Sequence, residues 1–510
     1  MWGVDTFDEL LQVAYESHQG KEIPQDNLWR KIGFDGDSPR LGWAVKYTPN
    51  QIKTWAEPIL PFLKKAKAYL FVGMGGSINT VKLVRDFLRI ENIYTLDNPD
   101  NELINDTLAS LHESGIELNE VLIIAISKSA TTFETHAIVD SLRDIYSKNG
   151  LDIYEHVIWL IDRVNQNKLQ EKGWDIERTS LFSIQVDDKT DIGGRFTCPK
   201  TAVFFLPVLI YFKGDLAAMV SQVSRVLEQD PSGMCLVMTE ERVDKIVNEI
   251  MAHPQIELIV PSILGRAFEA FRVWVNQLYQ ESLGGKVEGF DPKIIPVTPW
   301  EYIDDKELDR LVSKKSLVWI DISGLGIINR DVETDLDILM NVVLLLEYMV
   351  AMIAYRYSLL IGPPLNFVNQ PNVQLYKKRM QEIEKIEPQS IENIEKIKEK
   401  LTMVLKEREN RIDFLEVVYY GRDDMLYSKI KSAAKEIARS HELIDLVFRG
   451  PDWNHHAFQA APTCRHTLFL ILTDERASDS VKLISQATYE VLREKGVAHI
   501  YSWISSDFVE

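Results

Sequence analysis

Short runs of apolar, largely β-branched residues alternate with longer stretches of helical periodicity through most of this chain, and that alternation constrains its fold more than any other feature. Tyr69–Val72, Val121–Ile126, Val157–Ile161 and Leu181–Val186 are such runs in the first half. Ile256–Val260, Leu317–Ile322, Glu416–Tyr420, Ile444–Phe448, Leu468–Leu472 and His499–Trp503 follow in the second. Continuous apolar strands separated by helices form parallel sheets covered on both faces. The expectation is an α/β fold of two doubly wound units.

The chain has 510 residues, enough for more than one domain, each with its own core. A Pro, a Gly and a Ser between two helical patterns at 228–235 suit a linker, so the boundary is expected near Asp230, giving domains 1–230 and 231–510. Within the second, 373–411 reads as an inserted helical hairpin broken at Pro388. Its lysines are matched by acids, as on a solvated helix face. With 57 Lys and Arg against 76 Asp and Glu the net charge is −19, and no basic patch stands out, which argues against nucleic acid as a partner. Cys198, Cys235 and Cys464 lie far apart, in neither a zinc-binding nor a disulfide pattern. The most apolar stretch, Met340 to Ile361, is interrupted by Glu347 and Arg356 and reads as a buried helix rather than a membrane span. No basic region followed by an apolar run opens the chain, so the protein is expected to be soluble and cytoplasmic, with no membrane partner.

Five segments carry residues suited to chemistry. Phe71-Val72-Gly73-Met74-Gly75-Gly76-Ser77 runs from a strand into a glycine turn and then a helix. Glycines there let the backbone approach a ligand, and a helix start offers free N–H groups. The third spaced glycine of a dinucleotide site and the Gly-Lys of a nucleotide loop are both missing, and a tight turn also explains the pattern. Ser127-Lys128-Ser129-Ala130-Thr131-Thr132-Phe133-Glu134-Thr135 places five hydroxyls at the next helix start. A capping box of Thr131 with Glu134 accounts for two of these residues, but not for Ser127, Ser129 or Thr132. Such hydroxyls and amides suit a phosphate monoester, and both segments lie where parallel sheets bind ligands.

Gly193-Gly194-Arg195 presents a guanidinium able to stabilise an oxyanion, with Thr197 suited to N-cap the helix that follows. Gln277 and Glu281 share one helix face near its carboxyl end, where the dipole raises a carboxyl pKa toward that of a general base. An ordinary solvated Glu fits the same spacing. Gly450-Pro451-Asp452-Trp453-Asn454-His455-His456 follows a strand, and one of its histidines suits acid/base work as well as a structural role. Two adjacent histidines are a poor metal pair.

In this order the segments resemble the phosphoglucose isomerase family, built from two SIS (sugar-isomerase) domains. The segment Ile361–Val373, ending Asn369-Gln370-Pro371-Asn372-Val373, is similar to another family motif, and the carboxyl-terminal part is most like the isomerase portion of transaldolase–isomerase fusions. The resemblance spans roughly residues 40–505. It implies flavodoxin-like, three-layer αβα domains and reversible isomerisation of glucose 6-phosphate and fructose 6-phosphate through a cis-enediol(ate), with no metal and no cofactor. It implies Glu281 as the base, Arg195 as the charge stabiliser and His455 as a third catalytic group. Substrate would be held by Gly75, Gly76, Ser77, Ser127, Lys128, Ser129, Thr132, Gln277 and Gln459. It also implies a homodimer. Where the fusion enzymes carry a His-Lys pair that assists ring opening, this chain has Ala461-Pro462. A different sugar phosphate, or a binding protein without turnover, therefore stands as an alternative.

Overall fold

The computed structural model describes residues 4–229, 248, 258–261, 268–286, 293–294, 317–320, 334–360, 362–407, 412–455 and 457–505. They form two compact units, one of residues 1–96 with 107–369 and one of residues 97–106 with 370–510. The expected boundary near Asp230 lies outside the described residues.

The first unit is built on five parallel strands: β1 (Ala68–Val72), β2 (Ile93–Leu96), β3 (Val121–Ile126), β4 (Val157–Ile161) and β5 (Ser180–Ser183). Their order across the sheet is β2-β1-β3-β4-β5. That is the 2-1-3-4-5 order of doubly wound sheets, with the topological switch between β1 and β3. Every residue of β1, β3 and β4 is buried, so both faces of the sheet are covered. The run Leu181–Val186 enters the sheet only as far as Ser183, and β2 was missed because Ile93-Tyr94-Thr95-Leu96 is short and half-polar. Two helices leave the switch-point strands, α1 (Gly76–Leu88) after β1 and α2 (Phe133–Lys148) after β3.

Also in this unit are α3 (Ala202–Tyr211), α4 (Phe268–Leu283) and α5 (Asp335–Leu360). The 26-residue α5 is long and apolar enough to cross a membrane, but its apolar stretch is mostly buried, with Glu347 fully enclosed. A helix apolar on all sides and packed within protein is a core helix. The expected strands near 256–260 and 317–322 pair with each other, as Leu258–Pro261 and Leu317–Ile320, in a separate three-stranded parallel sheet completed by Lys293–Ile294.

The second unit contains β6 (Ile391–Glu392), β7 (Phe414–Tyr420), β8 (Ile444–Gly450), β9 (Thr467–Asp474) and β10 (Ala498–Ile504), all parallel, in the order β6-β10-β9-β7-β8. The segment read as a helical hairpin holds two helices, Val373–Glu382 and Ile394–Glu407. Between them lie Pro388 and the edge strand β6, which pairs with β10.

Leu346, fully buried in α5, and Met403, 59% exposed, separate core from surface. Leu346→Ala is expected to cost about 2–5 kcal/mol in urea unfolding, and Met403→Ala less than about 0.5 kcal/mol. Equal small effects would contradict a packed α5.

Candidate active site

The two segments richest in glycine and hydroxyls leave adjacent strands at the switch point. Val72 of β1 lies opposite Ala125 of β3, and a Cβ on Gly73 would sit 3.2 Å from the Ile126 carbonyl and 3.3 Å from the Ser77 Cβ. Gly75 takes φ +55°, a conformation open to glycine, and its carbonyl accepts from Ile78 N–H and Asn79 N–H to start α1. Ser77, in the first turn, is partly exposed. The closest approach belongs to Gly76, where a Cβ would lie 1.9 Å from the Gly194 carbonyl oxygen. The glycine loop and the Gly-Gly-Arg loop therefore touch backbone to backbone. Thr197 locks the contact by donating to the Gly76 carbonyl at 2.9 Å. Thr197 is thus not a helix cap: α3 begins at Ala202, capped by Thr201, whose hydroxyl accepts from Val203 N–H.

At the start of α2 the hydroxyls pair with one another. Ser127 and Thr132 lie 2.9 Å apart, and Ser129 and Thr131 2.8 Å. The expected capping box does not form, because α2 begins at Phe133 with Thr132 at the cap position and Glu134 buried. The turn passes through Ala130 at φ +54°, its carbonyl bonded to the His136 ring. Lys128 contributes backbone to this loop, while its ammonium donates to the Ile192 carbonyl and lies 3.9 Å from Asp162. Burial, with Arg40 adding to it, pushes Lys128 down to about 8 against the opposing pull of Asp162. Burial likewise raises Asp162 to about 6.

Arg195 and Glu281 form a buried ion pair, Nη1 to Oε2 at 3.3 Å, with side chains 2% and 4% exposed. The solvated-Glu reading is therefore excluded. Arg195 also donates from Nε to Ser282 Oγ at 2.8 Å, and from Nη2 to the carbonyls of Phe367 at 2.8 Å and Asn369 at 3.1 Å. Burial lowers the Arg195 pKa, and Glu281 opposes that shift. Gln277 Nε2 donates to the same Glu281 oxygen at 3.3 Å, while Gln277 Oε1 accepts from Asn79 of α1 at 3.0 Å. A continuous chain thus runs Asn79–Gln277–Glu281–Arg195. Lys286 closes the carboxyl end of α4 by donating to the carbonyls of Ser282 and Asn366, its pKa held well below the usual lysine range by burial first and by Arg195 second. Sequence reasoning missed Asn79, Ser282 and Lys286. The signal for Lys286 was a basic residue just past a helix carboxyl end.

Gly75, Gly76, Ser77, Ser127, Lys128, Ser129, Thr132, Arg195, Gln277 and Glu281 all belong to the first unit; His455 and Gln459 belong to the second. His455 Nε2 lies 3.5 Å from the Tyr376 hydroxyl, with the two rings edge to face. Gln459 is fully buried, and its Oε1 accepts from Asn372 N–H at 2.9 Å while its carbonyl accepts from Asn372 Nδ2. His456 lies outside the described residues.

Comparison with known proteins finds similarity to glucose-6-phosphate isomerases over part of the chain. A glucose-6-phosphate isomerase of Campylobacter jejuni is 27% identical over 241 residues, 46% of this chain and 53% of that enzyme. A probable glucose-6-phosphate isomerase of Methanococcus maripaludis is 24% identical over 243 residues, 46% of this chain and 51% of that protein. Over about half its length, this chain is similar to glucose-6-phosphate isomerases. It spans likewise about half the length of these two relatives. A solved glucose-6-phosphate isomerase of Chlamydia trachomatis superposes with a TM-score of 0.48 at 16% identity, covering 79% of this chain and 84% of that one. No family model matches the chain.

The Gly76 contact generates an asymmetric prediction. Gly76→Ala drives a methyl into the Gly194 carbonyl and is expected to cost about 1–3 kcal/mol. Gly194→Ala, whose Cβ meets nothing within 4 Å, is expected to be nearly neutral in thermal melts. Equal tolerance of both would contradict the backbone contact.

Proposed function

We propose that this protein interconverts an aldose phosphate and a ketose phosphate, with glucose 6-phosphate and fructose 6-phosphate as the pair. The observation that carries the reading is the buried Arg195–Glu281 pair, linked through Asn79 and Gly76 to the glycine turn that starts α1, with the hydroxyl-rich start of α2 on the neighbouring strand and tied to the Arg195 loop by Lys128. The similarity to glucose-6-phosphate isomerases supports the same reading.

In this mechanism the phosphate monoester lies at the start of α2. Ser127, Ser129 and Thr132 turn their hydroxyls from each other toward it, joined by Ser77 and the backbone N–H groups at Gly76 and Lys128. The positive end of the 16-residue α2 favours the dianion. Glu281 takes the proton from C1 of the ketose or C2 of the aldose and returns it to the other carbon. Arg195 stabilises the charge that develops on the enediolate oxygen, where low local dielectric makes a fixed guanidinium most effective. Gln277, bonded on both sides, orients the carboxylate.

A second reading keeps the proton transfer and changes the sugar. In this chain Ala461 and Pro462, both buried in a short turn, occupy the place of the fusion enzymes' His-Lys pair. A sugar phosphate that is already open would need no help with ring opening.

A coupled assay for glucose 6-phosphate formed from fructose 6-phosphate, run with EDTA, tests the proposal. Glu281→Gln is expected to lower turnover by about 10²–10⁴-fold. Ser127→Ala is expected to raise KM by about 10-fold, the loss of one hydrogen bond to a charged group. A Glu281→Gln variant as active as the wild type would remove Glu281 from the mechanism. Turnover of an open-chain sugar phosphate alone would favour the second reading.

A further inference from the structure

The loop that ends in Arg195 is held from behind by the first forty-odd residues of the chain. His18, the last residue of the helix Val4–His18, lies buried between two carboxylates of that loop. Its Nδ1 is 2.8 Å from Asp191 Oδ2 and its Nε2 is 2.7 Å from Asp187 Oδ2. Only an imidazolium has an N–H on both nitrogens, so this bridge requires the charged ring; a neutral ring would set a lone pair against a carboxylate. The remaining contacts of the loop tighten the same stretch. Gln185 Nε2 donates to Asp191 Oδ1 at 2.8 Å, Gly42 N–H to the Asp191 carbonyl at 3.0 Å and Arg40 to the Thr190 carbonyl at 2.8 Å. Lys128 from the hydroxyl-rich loop takes the Ile192 carbonyl, and Trp43 stacks on Phe196 at 5.1 Å. Arg195 is four residues beyond Asp191.

We propose that His18 is a positioning residue for Arg195: its ring, bridging Asp187 and Asp191, sets the Gly193-Gly194-Arg195 turn at the place where Arg195 meets Glu281. This rests on the isomerase reading for its catalytic consequence, though not for its geometry.

The groups facing the ring are Asp187, Asp191, Gln185 and Tyr47, whose hydroxyl lies 3.4 Å from Asp187; Lys128, Asp162 and Arg40 form the next charged layer around Asp191. Burial by itself disfavours the imidazolium, but the two carboxylates outweigh it and raise His18 to about 9. The folded state therefore holds a proton that the unfolded chain releases near pH 6.5. The stability that the charged ring contributes is fully present below that pH and is lost as pH rises through about 9, where the folded ring gives up its proton and the bridge opens.

The test compares the full-length wild type with His18→Gln in two measurements. The first is kcat and KM for fructose 6-phosphate between pH 6 and 10. The second is amide hydrogen exchange by mass spectrometry across 187–197, which needs no turnover. In His18→Gln, kcat is expected to fall at least 10-fold at pH 7, with KM within about 3-fold. The wild-type decline in kcat near pH 9 should be absent from the variant. Exchange across 190–197 should quicken at least 10-fold while β1 and β3 stay protected. Unchanged kcat together with unchanged exchange would overturn the proposal, as would equal loss of protection throughout the sheet. No wild-type turnover with faster loop exchange in the variant would sink the isomerase reading and leave the positioning role standing. Should His18→Gln not fold, Asp187→Asn removes one arm of the bridge and is read against the same outcomes.

Discussion

Burying a guanidinium and a carboxylate together is the constraint around which the first unit is arranged. Removing each ion from water costs several kcal/mol, and the mutual attraction offsets this only when the remaining donors and acceptors are also met. That explains the crowding around the pair. Arg195 spreads its fork over Glu281, Ser282 and two carbonyls of the segment after α5, and Glu281 takes a further bond from Gln277. Four parts of the chain (α1, the loop after β5, α4 and the segment after α5) must therefore arrive together. The glycine at 76 permits this: any side chain there would hold the loop of Arg195 away from α1.

Four strands of each five-stranded sheet share a strand order, yet the two sheets differ in the chemistry at their switch points. Without β6, the second sheet reads β8-β7-β9-β10, the same 2-1-3-4 winding, with its switch between β7 and β9. At that switch the chain places Asp423, which caps the helix after β7 by accepting from Leu426 N–H, and Asp474, which accepts from the Tyr419 hydroxyl at 2.7 Å. Carboxylates at both strand ends repel a phosphate. The first sheet has glycines and hydroxyls at the matching places. Equivalent topology thus yields one edge suited to a phosphate monoester and one suited to structural hydrogen bonds, which is why function has to be argued from the site and not the fold.

Most of the sheet architecture was legible because it depends on runs of apolar residues. β3 and β4 fall where their β-branched runs end, and β7, β8, β9 and β10 differ from expectation by a few residues at their ends. What escaped was local chemistry settled by tertiary contact. Thr197 and Thr131 both had the spacing of caps, but Thr197 found the Gly76 carbonyl and Thr131 found Ser129. Glu281 carried a pattern that fits a solvated residue equally well. Only the arrival of Arg195 from eighty-six positions away made it a buried ion pair. The role of the amino-terminal segment was illegible for the same reason: His18 and Asp191 are 173 residues apart.

The proposed proton transfer by Glu281 would leave an isotopic trace. Fructose 6-phosphate incubated with the protein in D2O and followed by NMR tests it directly. Deuterium is expected to enter carbon-bound positions at C1 and C2 as the two sugars interconvert, and to stop entering when Glu281 is replaced by Gln, with sugar-phosphate binding retained. Deuterium entering as fast in the variant as in the wild type would place the base elsewhere and contradict the assignment.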